Sequence, residues 1–248
     1  MTGRTRQALI AGRGRLPAAL AAAMVQPPLV TAVEGFVPDG LHVDLTFRVE
    51  RLMPFLRHLE TLGVAEVAFA GAVTRPRLDP ALLDPETAAM LPRLMAAMAA
   101  GDDATLRAVI GIFAEFGFSV LGVGDLAPAL LPKPGILAGR LTPQDEADAA
   151  RAAEIVAALG AVDVGQGAVV AQGLCLGVEV LAGTDAMLGG IAGLPPGLRP
   201  DPARGRGVFY KAAKPGQDRR IDLPTLGPDS LRAVAAAGLA GVAFEAGG

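Results

Sequence analysis

The segment KAAKPGQDRRIDLPTLG, residues 211–227, gathers Lys211, Lys214, Arg219 and Arg220 around Asp218 and Asp222 in a chain whose formal net charge is −3. Lysine neutralises phosphate oxygens as a point charge, and arginine can do so with a two-pronged fork. An aspartate amid four cations keeps a low pKa because its ionised form is favoured, and it is then available to hold a metal ion. Pro215 and Pro224 stiffen the loop and lower the ordering cost of a bound state. Such parts suit phosphoryl transfer, where positioning and charge neutralisation do most of the work, commonly with a magnesium ion held by one or two carboxylates. On charge alone, a solvated basic loop accounts for the segment at least as well.

Other chemistries are poorly supplied. The only histidines are His42 and His58, and the only serines are Ser119 and Ser230. None stands in a nucleophile-elbow context, so a Ser/His or Cys/His hydrolase and a structural zinc site are both disfavoured. Both histidines read as surface or packing residues. The single cysteine, Cys175, lies in the apolar run LCLGVEV and reads as a core residue. AGRGRLP (11–17) has the order strand, glycines, helix N-terminus that can receive an anion. It lacks the third glycine of a dinucleotide fingerprint and the Lys-Ser/Thr of a P-loop, so a plain tight turn remains open. GTDAM (183–187) puts Asp185 at a strand-to-helix turn, as a ligand or as a helix cap. DVGQGAVV (163–170) places a glycine-flanked glutamine at a strand start.

Composition narrows the class further. The chain has 248 residues, 52% hydrophobic and 19% charged, enough to bury roughly 70–75% of its unfolded surface. Aromatics make up 4%, with no tryptophan and one tyrosine, so base-stacking platforms and a general nucleic-acid function are disfavoured. The longest apolar runs, such as LPAALAAAMV (16–25), fall short of the ~20 residues of a spanning helix. The N-terminus has no signal-peptide layout, and one cysteine fits a reducing compartment. The expectation is a soluble cytoplasmic protein.

The elements that must position these residues alternate. QALIAG (7–12), LVTAV (29–33), HVDLTF (42–47) and EVAFAG (66–71) read as strands. RGRLPAALAAAM leads into a helix with Pro17 in its first turn, and VERLMPFLRHLETLG (49–63) is helical but kinked or delayed by Pro54. Helices follow at about 85–100 and 102–116. Alternation of this kind predicts a parallel sheet covered on both faces: a Rossmann-like N-terminal domain, residues 1–121. GVGDLAPALLPKPGILAGRLTP, rich in Pro and Gly, supplies a linker over 122–141. A helix starts at Thr142-Pro143 and ends at Gly160. Two β runs joined by Gln172-Gly173 form a hairpin, followed by a helix from Gly183, a strand at 207–212, a helix at 227–238 and a last strand. The fold class is therefore α/β, with a second, mixed-sheet α/β domain over 142–248.

Taken in order, LIAGxGxLP, FAGxVxRP, GDDxxLR, DVGQGAVV, GTDAM and KAAKPGQDRRIDLPTLG closely resemble the UDP-2,3-diacylglucosamine pyrophosphatases of the LpxI type, from about residue 7 to the C-terminal end. The resemblance implies two α/β domains that hold substrate in the cleft between them. It implies magnesium-dependent hydrolysis of a pyrophosphate bond, with water attacking the α-phosphorus to release UMP and 2,3-diacylglucosamine 1-phosphate in lipid A biosynthesis. Asp222 falls on the family's essential carboxylate in R-x-D-L-P-T. Beside that match, residue chemistry assigns Lys211, Lys214 and Arg220 to the pyrophosphate and Asp222, Asp185 and Glu179 to the metal. Gln166, Gly167, Thr184 and Asp185 are assigned to substrate, with Gly12, Gly14, Gly71 and Ala72 on the N-terminal side of the cleft. An acylated UDP-sugar substrate also implies transient contact with the inner-membrane surface; the oligomeric state stays open.

This chain departs from the family pattern at Arg13 and Arg15, where the usual loop is AGGGxLP, and at Ala72, where a small polar residue is common. The His-Glu pair often seen before the linker is also missing from GVGDLAPALLPKP. Relatives continue past FEAGG through a further strand and helix, so the C-terminal domain is expected to lack its final unit and to leave an open sheet edge. Two alternatives stay open at this point: a related nucleotide-sugar pyrophosphatase with another acceptor, and a catalytically impaired homologue that only binds substrate.

Overall fold

Apolar strands only three to seven residues long, separated by alanine- and leucine-rich helices, have to be buried, and the protein meets this with two helix-covered sheets. The computed structural model describes residues 6–74, 78–221 and 223–247. The chain divides into two compact units, Met1–Leu131 with Asp218–Asp222 and Pro132–Gln217 with Leu223–Gly248.

The first unit runs β1 (Arg6–Ala11), α1 (Leu16–Ala23), β2 (Leu29–Val33), β3 (Leu45–Phe47), α2 (Leu52–Thr61), β4 (Val64–Ala70), α3 (Pro85–Ala100), α4 (Asp102–Glu115), β5 (Ser119–Leu121) and α5 (Val123–Leu126). Its five strands are all parallel, in the order β3-β2-β1-β4-β5. Every residue of β2 is buried, as a doubly covered parallel strand requires. Ala8 and Ile10 of β1 share a core with Leu52, Phe55, Leu56 and Leu59 of α2 and Ile112 and Phe113 of α4. By strand alternation Leu9 and Ala11, also buried, point to the other face, and α1 packs against β1, β4 and α5. Pro54 falls in the first turn of α2, behind a 3₁₀ turn at Val49–Arg51, so it delays the helix and does not kink it.

Three local expectations change. The strand expected over 42–47 shrinks to Leu45–Phe47, because the carboxylate of Asp44 accepts the Val30 N–H at 2.8 Å in place of a ladder bond. Residues 122–131, expected as linker, form α5 and a 3₁₀ turn at Pro128–Leu130 and belong to the first unit. Residues 218–222 likewise group with the first unit, with Ile221 packed against its core.

The second unit contains α6 (Pro143–Ala161), β6 (Gly167–Ala171), β7 (Leu174–Val178), α7 (Gly183–Ala192), β8 (Val208–Lys211), α8 (Pro228–Ala236) and β9 (Gly241–Phe244). Thr142 and Asp145 close a capping box on α6. Gln172 (φ 52) and Gly173 (φ 78) make the hairpin turn between β6 and β7. The sheet order is β7-β6-β8-β9, antiparallel except for β8-β9. Ala168 and Val170 pack with Ala152 and Val156 of α6. Val169 and Phe209 pack with Leu188 and Ile191 of α7 and Val234 of α8. Helices therefore cover both faces here too. Cys175, expected in the core, is exposed; β7 is an edge strand, and its turn end is left uncovered.

Candidate active site

Strand parity decides what Lys211 can reach. Lys211 and Phe209 lie on the same face of β8, the face that packs on α7. Gly167 of β6 is the register partner of Lys211. The ammonium of Lys211 donates to the Thr184 hydroxyl at 2.9 Å, and that hydroxyl donates to Glu179 Oε2 at 3.0 Å. Glu179 Oε2 stands 3.8 Å from Lys211 Nζ, and Lys211 and Glu179 are 7% and 8% exposed. Desolvated charges of opposite sign are tolerated in such a place only as partners. Space for the carboxylate comes from Gly167: a Cβ there would sit 2.6 Å from Glu179 Oε2 and 2.9 Å from the Phe209 ring. The side-chain oxygen of Gln166, one residue earlier, is buried with no hydrogen-bond partner among the described residues. Asp185 is exposed in the first turn of α7.

Lys214 follows three residues after Lys211 on the loop that leaves β8. Its ammonium pairs with Asp163 Oδ1 at 2.7 Å. Its backbone N–H donates to Gln217 Oε1 at 2.8 Å, and Gly160 at the end of α6 gives room to Pro215, since a Cβ there would meet Pro215 Cδ at 2.8 Å.

In the first unit, the backbones of Gly12 and Gly71 cross at the carboxyl ends of β1 and β4. A Cβ on Gly12 would lie 2.6 Å from Ala72 O, and one on Gly71 would lie 2.7 Å from Gly12 C. The crossing is tied by paired bonds between Arg13 and Ala72, 2.9 and 3.0 Å. This is the point where the sheet order reverses, the position at which open α/β sheets take ligands. Gly14 beyond it has φ +94 with open space around its Cα. Arg13, one of the two added cations of this loop, turns elsewhere: its guanidinium donates to Gly35 O at 2.9 Å and lies 5.0 Å from the Phe36 ring centroid.

Arg220 is held by its own loop. Nε donates to Asp218 Oδ1 at 2.9 Å and Nη2 to Asp218 Oδ2 at 2.6 Å. That fork holds the Asp218 carboxyl below its ordinary range and raises Arg220. The loop backbone packs tightly on the end of β5, where a Gly122 Cβ would meet Arg220 Cα at 3.1 Å. Asp222 lies outside the described residues.

Of the residues singled out from sequence, the structure gathers Gly167, Glu179, Thr184 and Lys211 into one buried cluster and places Gln166 next to it in the chain. It brings Gly12, Gly71 and Ala72 into a second group, on the other unit. Lys214 stands with Asp163, which sequence reasoning passed over, and Arg220 with Asp218. Among the described residues, no three His, Cys, Asp or Glu side chains converge as a metal site. Magnesium accepts one or two carboxylates and keeps several waters; exposed Asp185 suits that role, whereas Glu179 is already taken up by Thr184 and Lys211.

Both halves of the chain match known families. Residues 6–130 match the LpxI N-terminal domain and residues 133–248 the LpxI C-terminal domain. A curated relative, the UDP-2,3-diacylglucosamine pyrophosphatase LpxI of Caulobacter vibrioides, is 37% identical over 246 residues, covering 96% of this chain and 88% of the relative. By both domains and by overall identity, the chain belongs to the LpxI family.

Proposed function

We infer that this protein hydrolyses the pyrophosphate bond of UDP-2,3-diacylglucosamine, releasing UMP and 2,3-diacylglucosamine 1-phosphate for lipid A biosynthesis. The observation that carries the reading is the 37% identity to a pyrophosphatase of that name across nearly the whole chain. The chemistry agrees with it. A pyrophosphate diester carries two negative charges, and the protein supplies a fixed cation in Lys211 and further cations in Lys214 and Arg220. Preorganisation of this kind favours the anionic transition state because little reorganisation remains to be done when charge develops.

In this reading Asp222 is the catalytic carboxylate, and water attacks the α-phosphorus, so the oxygen of water enters UMP. Magnesium, held by Asp185 and Asp222, would add further charge neutralisation. Substrate contacts are proposed at Gln166, Gly167 and Thr184 and, separately, at the first-unit loops that carry Gly12, Gly14, Gly71 and Ala72. Val180 and Leu181 are exposed and apolar between Glu179 and Thr184, and in this reading they would meet an acyl chain of the substrate. Among the described residues no helix is long and apolar enough to cross a membrane.

The test is incubation with UDP-2,3-diacylglucosamine in water enriched in oxygen-18, with and without magnesium. Labelled UMP, lost with EDTA and restored by magnesium, is expected. Label in the sugar phosphate would overturn the site of attack. Faster turnover of a non-acylated UDP-sugar would overturn the substrate assignment.

A further inference from the structure

At the C-terminal end of α6 the chain breaks two local rules at one residue. The Val164 N–H bonds to Leu159 O at 3.0 Å and the Asp163 N–H to Gly160 O at 3.1 Å, the pattern of a Schellman cap with Asp163 at the left-handed position. Asp163 has φ 56, where glycine is the unstrained choice. A carboxylate at a helix C-terminus also faces the negative end of the helix dipole. Backbone and electrostatics both favour glycine over aspartate here, and a residue at odds with local preference points to a role beyond the cap.

The partner of Asp163 supplies that role. Its Oδ1 receives the Lys214 ammonium at 2.7 Å; the Lys214 side chain is 17% exposed and that of Asp163 41%. The lysine backbone is fixed at the same time by Gln217, and the adjacent Pro215 packs on Gly160 of the same helix end. Without Asp163 the four-carbon stem of Lys214 would sample several rotamers, and a substrate phosphate would have to order it on binding.

We propose that Asp163 is a positioning residue that holds Lys214 in place to receive the pyrophosphate. This rests on the reading of Lys214 as a pyrophosphate contact. Asp163 itself touches no reacting atom; it fixes one that does.

A double-mutant cycle of Asp163→Gly and Lys214→Ala tests the proposal, read by kcat/KM for UMP release, by UDP binding in calorimetry and by thermal unfolding. Glycine removes the carboxylate and relieves the backbone, so Asp163→Gly should unfold at the wild-type temperature or higher. It should nonetheless lower kcat/KM about ten- to a hundredfold, the scale of a misplaced positioning group, and weaken UDP binding. Neither loss should recur in the Lys214→Ala background. Asp163→Asn, which tolerates the left-handed backbone, should show the same loss. Wild-type kcat/KM in Asp163→Gly and Asp163→Asn, or an equal loss with and without Lys214, would overturn the proposal. If the wild type binds UDP but releases no UMP, the functional reading fails, and the cycle on UDP binding still decides the role of Asp163. If the wild type does not bind UDP, both fail.

Discussion

Lys211 is a buried cation whose described neighbours are a hydroxyl and a carboxylate, and its energetics follow from that. Glu179→Gln leaves the ammonium without its counter-charge, and breaking a buried pair from one side costs roughly 3–5 kcal/mol. Urea unfolding should show a loss on this scale, smaller for Glu179→Gln combined with Lys211→Met than for the sum of the two. Gly167→Ala should cost about 1–3 kcal/mol by overpacking, because its Cβ would press on both Glu179 and Phe209; kcat/KM should fall with it as Lys211 is displaced. Gly167, Thr184 and Lys211 of this cluster could be read from the motifs DVGQG, GTDAM and KAAKPG, whereas Glu179 lies outside them. Their arrangement could not, because it depends on the register that pairs Gly167 with Lys211. Asp163 was passed over within DVGQGAVV, read as a glutamine at a strand start, because its left-handed cap position (φ 56) and its pairing with Lys214 appear only in three dimensions. Cys175 misled because an apolar run does not say whether its strand is central or at an edge.

At the scale of elements, the crossing of the loops after β1 and β4 fixes the carboxyl edge of the first unit's sheet. Gly12→Ala would drive a methyl into the Ala72 carbonyl, 2.6 Å away, so the two loops must part. The expected result is a loss of about 1–3 kcal/mol in thermal or urea unfolding, with weakened UDP binding. The parallel sheet, the hairpin at Gln172-Gly173 and the capped start of α6 were all legible, since each rests on local pattern or turn chemistry. β5 was not: Ser119–Leu121 is only three residues long, too short to show an alternating pattern, although Gly117 (φ 80) ends the helix before it. α5 was lost for the opposite reason, a short turn inside a Pro- and Gly-rich stretch that otherwise resembles linker.

Across the molecule, acid should unfold the protein through a few carboxylates. Burial pushes Glu50 up, but the Asp79 N–H and Arg48 outweigh it, and its pKa falls below the ordinary value. Burial likewise opposes Asp84, yet the Thr87 hydroxyl and the N–H groups of Thr87 and Glu86 lower it. Arg220 lowers Asp218. Each group is therefore harder to protonate folded than unfolded, so its stabilisation is full above the unfolded value near 4 and fades as pH falls through the folded one. Unfolding midpoints should hold from pH 7 to about 5 and drop steeply below about 4, with a shallower drop in Glu50→Gln. The two-part organisation was legible from the change of pattern after residue 140, whereas the grouping of 218–222 with the first unit was not, because only three-dimensional packing assigns Ile221 to that core. Asp222 follows Ile221 directly, and the account turns on it. The decisive measurement is UMP release from UDP-2,3-diacylglucosamine by Asp222→Ala and wild type, both checked for equal thermal unfolding. The account predicts rapid release by wild type and a loss of at least about a thousandfold in the variant, the scale of losing a group that acts only in the transition state; comparable release from both would contradict it.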